Sequence, residues 1–287
     1  EDRSPDHGHP EGMNMRIDVH AHVCLLPEPC RGEPYRTFPE VIGNLKRSMQ
    51  ANGIDHTILI PDNKDGGAEM PGLAQLMELL RGETCFSYLG CPNILQEQPG
   101  DLARFRDLLV RGVVKGLKFF PGHDPFHAND ARCDPYFGLC QELGVPVIIH
   151  SANSPSHPPG RMNGPCTDPA LIVEVARRFP NLHLGIAHFY WPKFEYCRET
   201  VEAFPNIFID LSGVVDDDEI AGRERVREPL LKLLARDPRR VVFGTDWMEC
   251  DTAKHVAMVE ALPVDDKIKE MIFSENARRI YRLDLAT

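Results

Sequence analysis

The stretch Met15-Arg-Ile-Asp-Val-His-Ala-His-Val23 decides between the folds that this chain could adopt. Side chains alternate between the two faces of a strand, so we expect Asp18, His20 and His22 to share one face. Two imidazoles side by side at the end of an apolar strand supply half of a metal site. An isolated His-x-His pair is also typical of a strand with two solvent-facing histidines. The residues downstream discriminate between these two interpretations.

Short apolar runs alternate with longer amphipathic segments from residue 16 onward. Several runs are almost continuously apolar, as in Val145-Pro-Val-Ile-Ile149, which is typical of parallel strands covered on both faces. The pattern predicts strands at 16–22, 56–61, 85–91, 113–119, 145–150, 182–188, 206–212 and 241–245. It predicts helices at 39–52, 71–81, 98–111, 134–143, 168–179, 193–204, 219–236 and 264–282. This alternation predicts an α/β fold, a (β/α)8 TIM barrel in a single domain.

The main alternative to the barrel is a doubly wound open sheet. Such a sheet normally carries a glycine-rich phosphate-binding loop after its first strand, whereas this chain has His-Ala-His at residues 20–22. The barrel is therefore the favoured architecture. Residues 1–14 are polar and rich in proline and glycine, and we interpret them as a flexible leader before a barrel domain at 15–287.

Composition limits the classes of partner. The 287 residues include 43 acidic and 32 basic side chains, with a net charge of -11. Nucleic acids and anionic membranes require a basic footprint, so we expect neither as a partner. No apolar run approaches the ~18 residues of a membrane span. Nine cysteines without CxxC pairs predict reduced thiols in a cytoplasmic protein. We expect a small-molecule substrate, and the exposed helices of a barrel are compatible with a homodimer.

Functional groups of a (β/α)8 barrel lie at the carboxyl ends of its strands. Five of the eight predicted strand ends carry a metal-ligand type of residue or a lysine. These residues are His20, His22, Lys118, His150, His188 and Asp246. Three histidines and an aspartate suit Zn2+, with Fe2+, Mn2+ or Co2+ as alternatives, and a catalytic site keeps a position open for water. A fourth histidine can polarise a substrate oxygen or transfer a proton.

This set of strand ends resembles the amidohydrolase superfamily of metal-dependent (β/α)8 enzymes. It is most similar to the amidohydrolase-2 branch, which includes aminocarboxymuconate-semialdehyde decarboxylase. The resemblance covers residues 15–283, including the closing segment Phe273-Ser-Glu-Asn-Ala-Arg-Arg-Ile-Tyr281, which is similar to the family's terminal helix.

The resemblance implies a role for each ligand-type residue. His20 and His22 would bind the metal, and His150 would be a further ligand. Asp246 would bind the metal and accept a proton from the nucleophilic water. His188 would contact water or substrate in a site with one ion, or bind the second ion in a site with two.

The chemical state of Lys118 determines whether the site holds one metal ion or two. In members with two metals, a lysine at this strand end is carboxylated and bridges the ions. In members with one metal, an unmodified lysine can bind an anionic group of the substrate. The third interpretation is a structural lysine that extends along the barrel mouth.

Three further residues are candidates for substrate binding. His123 lies in the loop after the fourth predicted strand, on the expected catalytic face. Arg161 lies in a loop rich in proline and glycine after the fifth strand, where it could hold a carboxylate with two hydrogen bonds. Trp247 follows the eighth strand. The alternatives are a surface loop for Arg161 and packing at the rim for Trp247.

From these residues we expect a metal-dependent hydrolase of a small carbonyl compound, such as an amide or a lactone. Asp246 would take the proton of the metal-activated water, and His188 would stabilise or protonate the reacting oxygen. The alternative is non-oxidative decarboxylation of an aromatic or unsaturated acid with the same ligands. A catalytically silent metal-binding barrel is the alternative outside the class of enzymes.

Overall fold

Eight short parallel strands form the centre of the molecule. The structure is a computed structural model that describes residues 15–25, 35–64, 66–153, 164–215 and 219–285. The strands are β1 (Ile17–Ala21), β2 (His56–Leu59), β3 (Phe86–Tyr88), β4 (Leu117–Phe119), β5 (Val147–Ile149), β6 (Leu184–Ile186), β7 (Ile207–Asp210) and β8 (Val241–Val242). Each lies within a segment that the apolar runs predict. The predicted leader at 1–14 falls outside the described residues.

Hydrogen bonds close these strands into a barrel. β1 to β3 form one parallel ladder and β4 to β8 form a second. At one seam the amide of Lys118 donates to the carbonyl of Gly90 at 2.8 Å, which joins β3 to β4. At the other seam the amide of Asp246 donates to the carbonyl of His20 at 2.9 Å, which joins the end of β8 to β1. The predicted barrel is therefore confirmed.

Helices connect the strands and cover the outside of the barrel. They are α1 (Phe38–Asn52), α2 (Leu73–Leu79), α3 (Asp101–Val110), α4 (Asp134–Leu143), α5 (Pro169–Arg178), α6 (Phe194–Val201), α7 (Glu219–Arg236), α8 (Thr252–Glu260), α9 (Asp266–Glu270) and α10 (Asn276–Tyr281). The predicted helix at 264–282 is α9 and α10 joined by a π-helical turn. Helix α8, whose amino terminus is capped by the Asp251 carboxylate, is not among the predicted helices.

Pairing between strands places Lys118 inside the barrel. Lys118 lies opposite Ile148, which lies opposite Gly185, and neighbours in register on parallel strands share a face. A Cβ added to Gly185 would lie 2.6 Å from the Phe208 ring and 2.7 Å from Ile148 Cδ1. A larger residue at Gly185 would therefore collide with the apolar side chains that pack inside the barrel beside Lys118.

Among the described residues, no helix has the length and apolar character that crossing a membrane requires.

Candidate metal centre

Three of the predicted ligands form a compact cluster at the carboxyl ends of β1, β6 and β8. The ligand atoms of His20, His188 and Asp246 all lie within 4.8 Å of one another. Nε2 of His20 and Nε2 of His22 each lie 3.5 Å from Asp246 Oδ1. Nδ1 of His188 lies 3.7 Å from Asp246 Oδ2. The Asp246 carboxylate therefore lies among three imidazoles.

The backbone at two of these positions is in the left-handed region. His188 has φ 60° and Asp246 has φ 61°, and the next two residues after His188 are also left-handed. A non-glycine residue in this region costs about 1 kcal/mol or more, and such strain clusters at functional sites. The turns after β6 and β8 therefore have an energetically unfavourable backbone conformation at His188 and Asp246, and these turns bring both residues into the cluster.

Two residues that the sequence analysis missed hold the imidazoles in place. Nδ1 of His20 lies 2.5 Å from Oδ2 of Asp210, the last residue of β7. The Ser212 hydroxyl lies 2.9 Å from His20 Nδ1 and 3.1 Å from His188 Nδ1, and the Ser212 carbonyl accepts from His188 Nδ1 at 3.0 Å. A carboxylate on Nδ1 fixes the tautomer of a histidine and leaves Nε2 for a metal.

His22 is oriented in a different way. Its Nδ1 donates to the Ile60 carbonyl at 3.1 Å, and its side chain is partly exposed. The Nε2 atom of His22 therefore faces Asp246 from the outer side of the cluster, whereas His20 is fully buried beneath it.

The protonation states suit a cation. Burial lowers the pKa of all three histidines. The pKa of His20 falls well below its ordinary value, that of His22 falls to about 4, and that of His188 falls below its ordinary value. Burial alone would raise the pKa of Asp246, but the neighbouring histidines and lysine lower it below its usual range. Neutral imidazoles beside an ionised carboxylate are the forms that coordinate a divalent ion. The residues present therefore fit a metal ion.

Lys118 lies directly beside this cluster. Its side chain is 1% exposed, and Nζ lies 3.3 Å from His20 Nε2 and 5.3 Å from the centre of the Phe120 ring. Burial lowers its pKa to about 8, although Asp210 and Asp246 oppose the shift. Within the described part of the chain, no carboxylate oxygen lies within 4.0 Å of Nζ. The amine is thus a buried cation without an anionic contact partner there.

His150 and His123 form a pair next to the cluster. Their Nε2 atoms are 3.0 Å apart and their ring centres 4.1 Å apart, and the His150 ring centre is 5.0 Å from that of His188. His150 is therefore outside the compact group of ligand atoms but adjacent to it. His123 is thereby placed next to the cluster, at the carboxyl ends of the strands.

Trp247 and Arg161 are the remaining predicted site residues. Trp247 is buried, and its backbone amide donates to the Thr245 hydroxyl at 3.0 Å. Asp18, which was not among the predicted site residues, is buried and accepts from the His20 amide at 3.0 Å and from the Thr245 hydroxyl at 2.6 Å, so it supports the cluster. Arg161 lies outside the described residues.

Comparisons with known proteins agree with the barrel fold. The profile of the amidohydrolase family matches residues 93–283, so the chain belongs to that family. The predicted family and the predicted class, a hydrolase or related decarboxylase, are therefore confirmed. No curated protein matches the sequence.

Several solved structures share the fold. One is an uncharacterized TIM-barrel protein from Bordetella bronchiseptica, with a TM-score of 0.70, 18% identity, and coverage of 94% of this chain and 99% of that one. Another is a dihydroxybenzoic acid decarboxylase from Polaromonas with bound manganese and the inhibitor 2-nitroresorcinol (TM-score 0.66, 16% identity, coverage 96% and 98%). A third is a probable 2-pyrone-4,6-dicarboxylic acid hydrolase from Acinetobacter baumannii with citric acid bound (TM-score 0.64, 11% identity, coverage 93% and 99%).

Proposed function

We propose that this protein is a metal-dependent decarboxylase of a small aromatic or unsaturated carboxylic acid. The observation that carries the proposal is the buried amine of Lys118, which has no carboxylate partner among the described residues and lies 3.3 Å from His20 Nε2. A buried charge is costly unless an opposite charge compensates it. A substrate carboxylate would supply that charge at the cluster, whereas a neutral amide would not. Decarboxylation therefore fits the site better than amide hydrolysis.

Structural relatives give independent support for an acidic substrate. The Polaromonas protein is a decarboxylase of a dihydroxybenzoic acid, and the Acinetobacter protein is a probable hydrolase of a dicarboxylic acid. Both names describe carboxylate substrates, but the sequence identities of 16% and 11% establish the shared fold alone. The substrate class of this chain is therefore part of the proposal.

A divalent metal would be held by His20, His22, His188 and Asp246. Imidazole and carboxylate ligands accommodate both Mn2+ and Zn2+, and the Polaromonas structure contains manganese. When bound, the ion would supply positive charge that stabilises negative charge on the reacting substrate.

The side chains of the site would bind the substrate and transfer the proton. Lys118 would bind the carboxylate, and the rings of Phe120 and His123, whose centres are 6.3 Å apart, would supply aromatic surface beside it. In the reaction the bond from the substrate carbon to the carboxylate breaks, CO2 leaves, and the electron pair on that carbon takes a proton. Asp246 is ionised in the free protein, so it would first accept a proton from water or a substrate hydroxyl and then deliver it. His188 would hydrogen-bond a substrate oxygen.

Isotopes distinguish decarboxylation from hydrolysis. The protein loaded with Mn2+ or with Zn2+ is incubated with hydroxybenzoates labelled with 13C in the carboxyl group, in water enriched in 18O. We expect labelled CO2 and an organic product without 18O. Incorporation of 18O into the organic product without CO2 release would contradict the proposal. Asp246→Asn is the control, because it changes one atom at the centre of the cluster and should release no CO2.

Hydrolysis of a lactone that carries a carboxylate is the second candidate function. Lys118 would bind the carboxylate in the same way, and the Acinetobacter relative is named for such a substrate. Incubation with a pyrone dicarboxylate in the same labelled water tests it, because ring opening adds one 18O atom to the product.

The number of ions can be measured separately. We propose a site with one ion, because the compact group contains His20, His188 and Asp246, while His150 faces His123. His188→Asn should then weaken binding of that one ion. Loss of a second equivalent of metal, with a carbamate signal on Lys118 after incubation with 13CO2, would instead indicate a site with two ions.

A further inference from the structure

A cleft lies at the amino ends of β6, β7 and β8, at the end of the barrel opposite the metal centre. Its volume is about 210 Å3. His183, Asn206 and Arg240 line it, and each directly precedes one of these strands. Arg279 of α10 lines the cleft as well. The cleft therefore shares no residue with the cluster of His20, His188 and Asp246.

Positive charge dominates the cleft. Arg239, Arg240 and Arg279 line it, against a single carboxylate, Asp237. That carboxylate is occupied by Arg239 through two hydrogen bonds, at 2.8 and 2.9 Å. Within the described ranges, neither Arg240 nor Arg279 has a carboxylate oxygen within 4.0 Å. Two guanidinium charges are thus left uncompensated, in a chain whose net charge is -11.

Arg240 is a rigid part of this cleft. Its side chain is buried, and its guanidinium donates to the carbonyls of Ile207 at 2.7 Å, Glu202 at 3.2 Å and Val201 at 2.9 Å. These three bonds use three of its five N–H groups. The guanidinium is therefore fixed before any ligand arrives, and it retains two donors.

The other cationic groups are crowded against one another. Arg279 donates to the backbone carbonyl of Arg239 at 2.7 Å. Burial and the neighbouring Arg239 lower the pKa of Arg279, and burial together with Arg279 and Arg282 lowers the pKa of His183. A bound anion would relieve this repulsion.

We propose that the cleft binds a small phosphate-type dianion, either inorganic phosphate or the phosphate group of a small ester, through Arg240 and Arg279. Planar guanidinium groups match phosphate oxygens with paired hydrogen bonds, and two of them would compensate a dianion. The ligand would connect α10 to the segments before β6, β7 and β8. Its effect is stabilisation of this end of the barrel.

Thermal unfolding and calorimetric titration test the proposal with two probes, sodium phosphate and glycerol phosphate. Sodium chloride at matched ionic strength is the reference. A ligand at about a hundred times its Kd should raise the Tm by about 5 °C. Arg279→Gln should weaken binding about tenfold or more, since it removes a charged hydrogen-bond donor. Arg236→Gln is the matched control, because Arg236 is exposed and does not line the cleft.

The site can be located within the same experiment. Addition of phosphate should raise the pKa of His183, measured by NMR in the wild type and in Arg236→Gln, but not in Arg279→Gln. Tighter binding of glycerol phosphate than of phosphate supports an ester as the ligand, and equal binding supports free phosphate.

Three results would overturn the proposal. The first is a Tm rise no larger than that in chloride. The second is equal phosphate affinity in Arg279→Gln, Arg236→Gln and the wild type. The third is binding that persists in Arg279→Gln and disappears in Lys118→Met, because that anion would lie at the metal centre. The Tm of Arg279→Gln without phosphate shows whether this substitution leaves the fold intact.

Discussion

His20 and His56 are buried histidines on neighbouring strands, but they lie at opposite ends of the barrel. At the carboxyl end of β1, His20 Nδ1 contacts Asp210, and its Nε2 lies 3.3 Å from Lys118 and 3.5 Å from Asp246. At the amino end of β2, His56 Nε2 lies 2.9 Å from the Ser87 hydroxyl. Among the described residues, no carboxylate oxygen lies within 4.0 Å of the His56 ring.

Burial lowers the pKa of both histidines, so burial by itself does not identify a metal ligand. The difference lies in the partners. His20 has a carboxylate behind one nitrogen and an ionised carboxylate facing the other, whereas a neutral hydroxyl contacts His56. The first arrangement suits a cation, and the second is a satisfied hydrogen bond within the core.

The largest expected effect is at Asp246. Asp246→Ala removes the carboxylate that three imidazoles surround, so we expect loss of tight metal retention and a fall in kcat/KM of about 10^3-fold or more. His56→Gln is the control at the other end of the barrel and should retain both. Metal content by mass spectrometry and steady-state kinetics measure the two effects. An unchanged metal content in Asp246→Ala would contradict the assignment of the metal site to the carboxyl ends of the strands.

Lys118→Met tests the buried amine. Loss of a charged hydrogen bond to the substrate carboxylate should raise KM about 100-fold while the metal content stays unchanged. Kinetics across acids and uncharged analogues give the measurement, since only the acids should lose affinity. A variant that binds acids as tightly as the wild type would remove the main argument for an acidic substrate.

Asp210→Asn tests the role of the carboxylate that contacts His20 Nδ1. The amide retains a hydrogen-bond acceptor for His20 Nδ1 but removes the negative charge. Outer partners of this kind contribute about 10- to 100-fold to metal affinity, so we expect a loss in that range. Competition with a chelating dye measures it. Ser87→Ala, which removes the partner of His56, should leave metal affinity unchanged.

The smallest expected effect is the loss of folding stability at acidic pH that His56 causes. Burial, with Lys115 and Arg278, lowers its pKa from 6.5 to about 4, so the unfolded chain binds more protons between these values. Stability contributed by neutral His56 is therefore complete above about pH 6.5 and is lost as the pH falls towards 4. We expect the wild type to lose about 1 to 2 kcal/mol between pH 7 and 5 from this group. Urea unfolding at both pH values should show a smaller loss in His56→Gln.

The sequence predicts much of the barrel because buried parallel strands have an obvious apolar pattern. Helix α8 does not follow from a pattern of one helix per strand, because the predicted helix at 264–282 already takes the position after β8. Its capping residue, Asp251, was the available signal. Ligands at strand ends are also predictable, since the carboxyl ends of parallel strands meet on one face.

Partners across the barrel are less predictable. Asp210 is the last residue of β7, where an aspartate is equally typical of a turn, and its contact with His20 spans 190 positions. The pairing of His150 with His123 depends on the conformation of the loop after β4. Neither contact follows from periodicity, because both depend on side-chain directions that only the folded barrel fixes.

We propose that His20, His188 and Asp246 hold the ion on which activity depends. Anomalous X-ray diffraction at the manganese edge, from crystals of the protein loaded with Mn2+, tests it most directly. We expect the strongest anomalous peak to lie among these three side chains and to be absent in Asp246→Ala. A peak confined to another part of the molecule, such as the pair of His123 and His150, would contradict it.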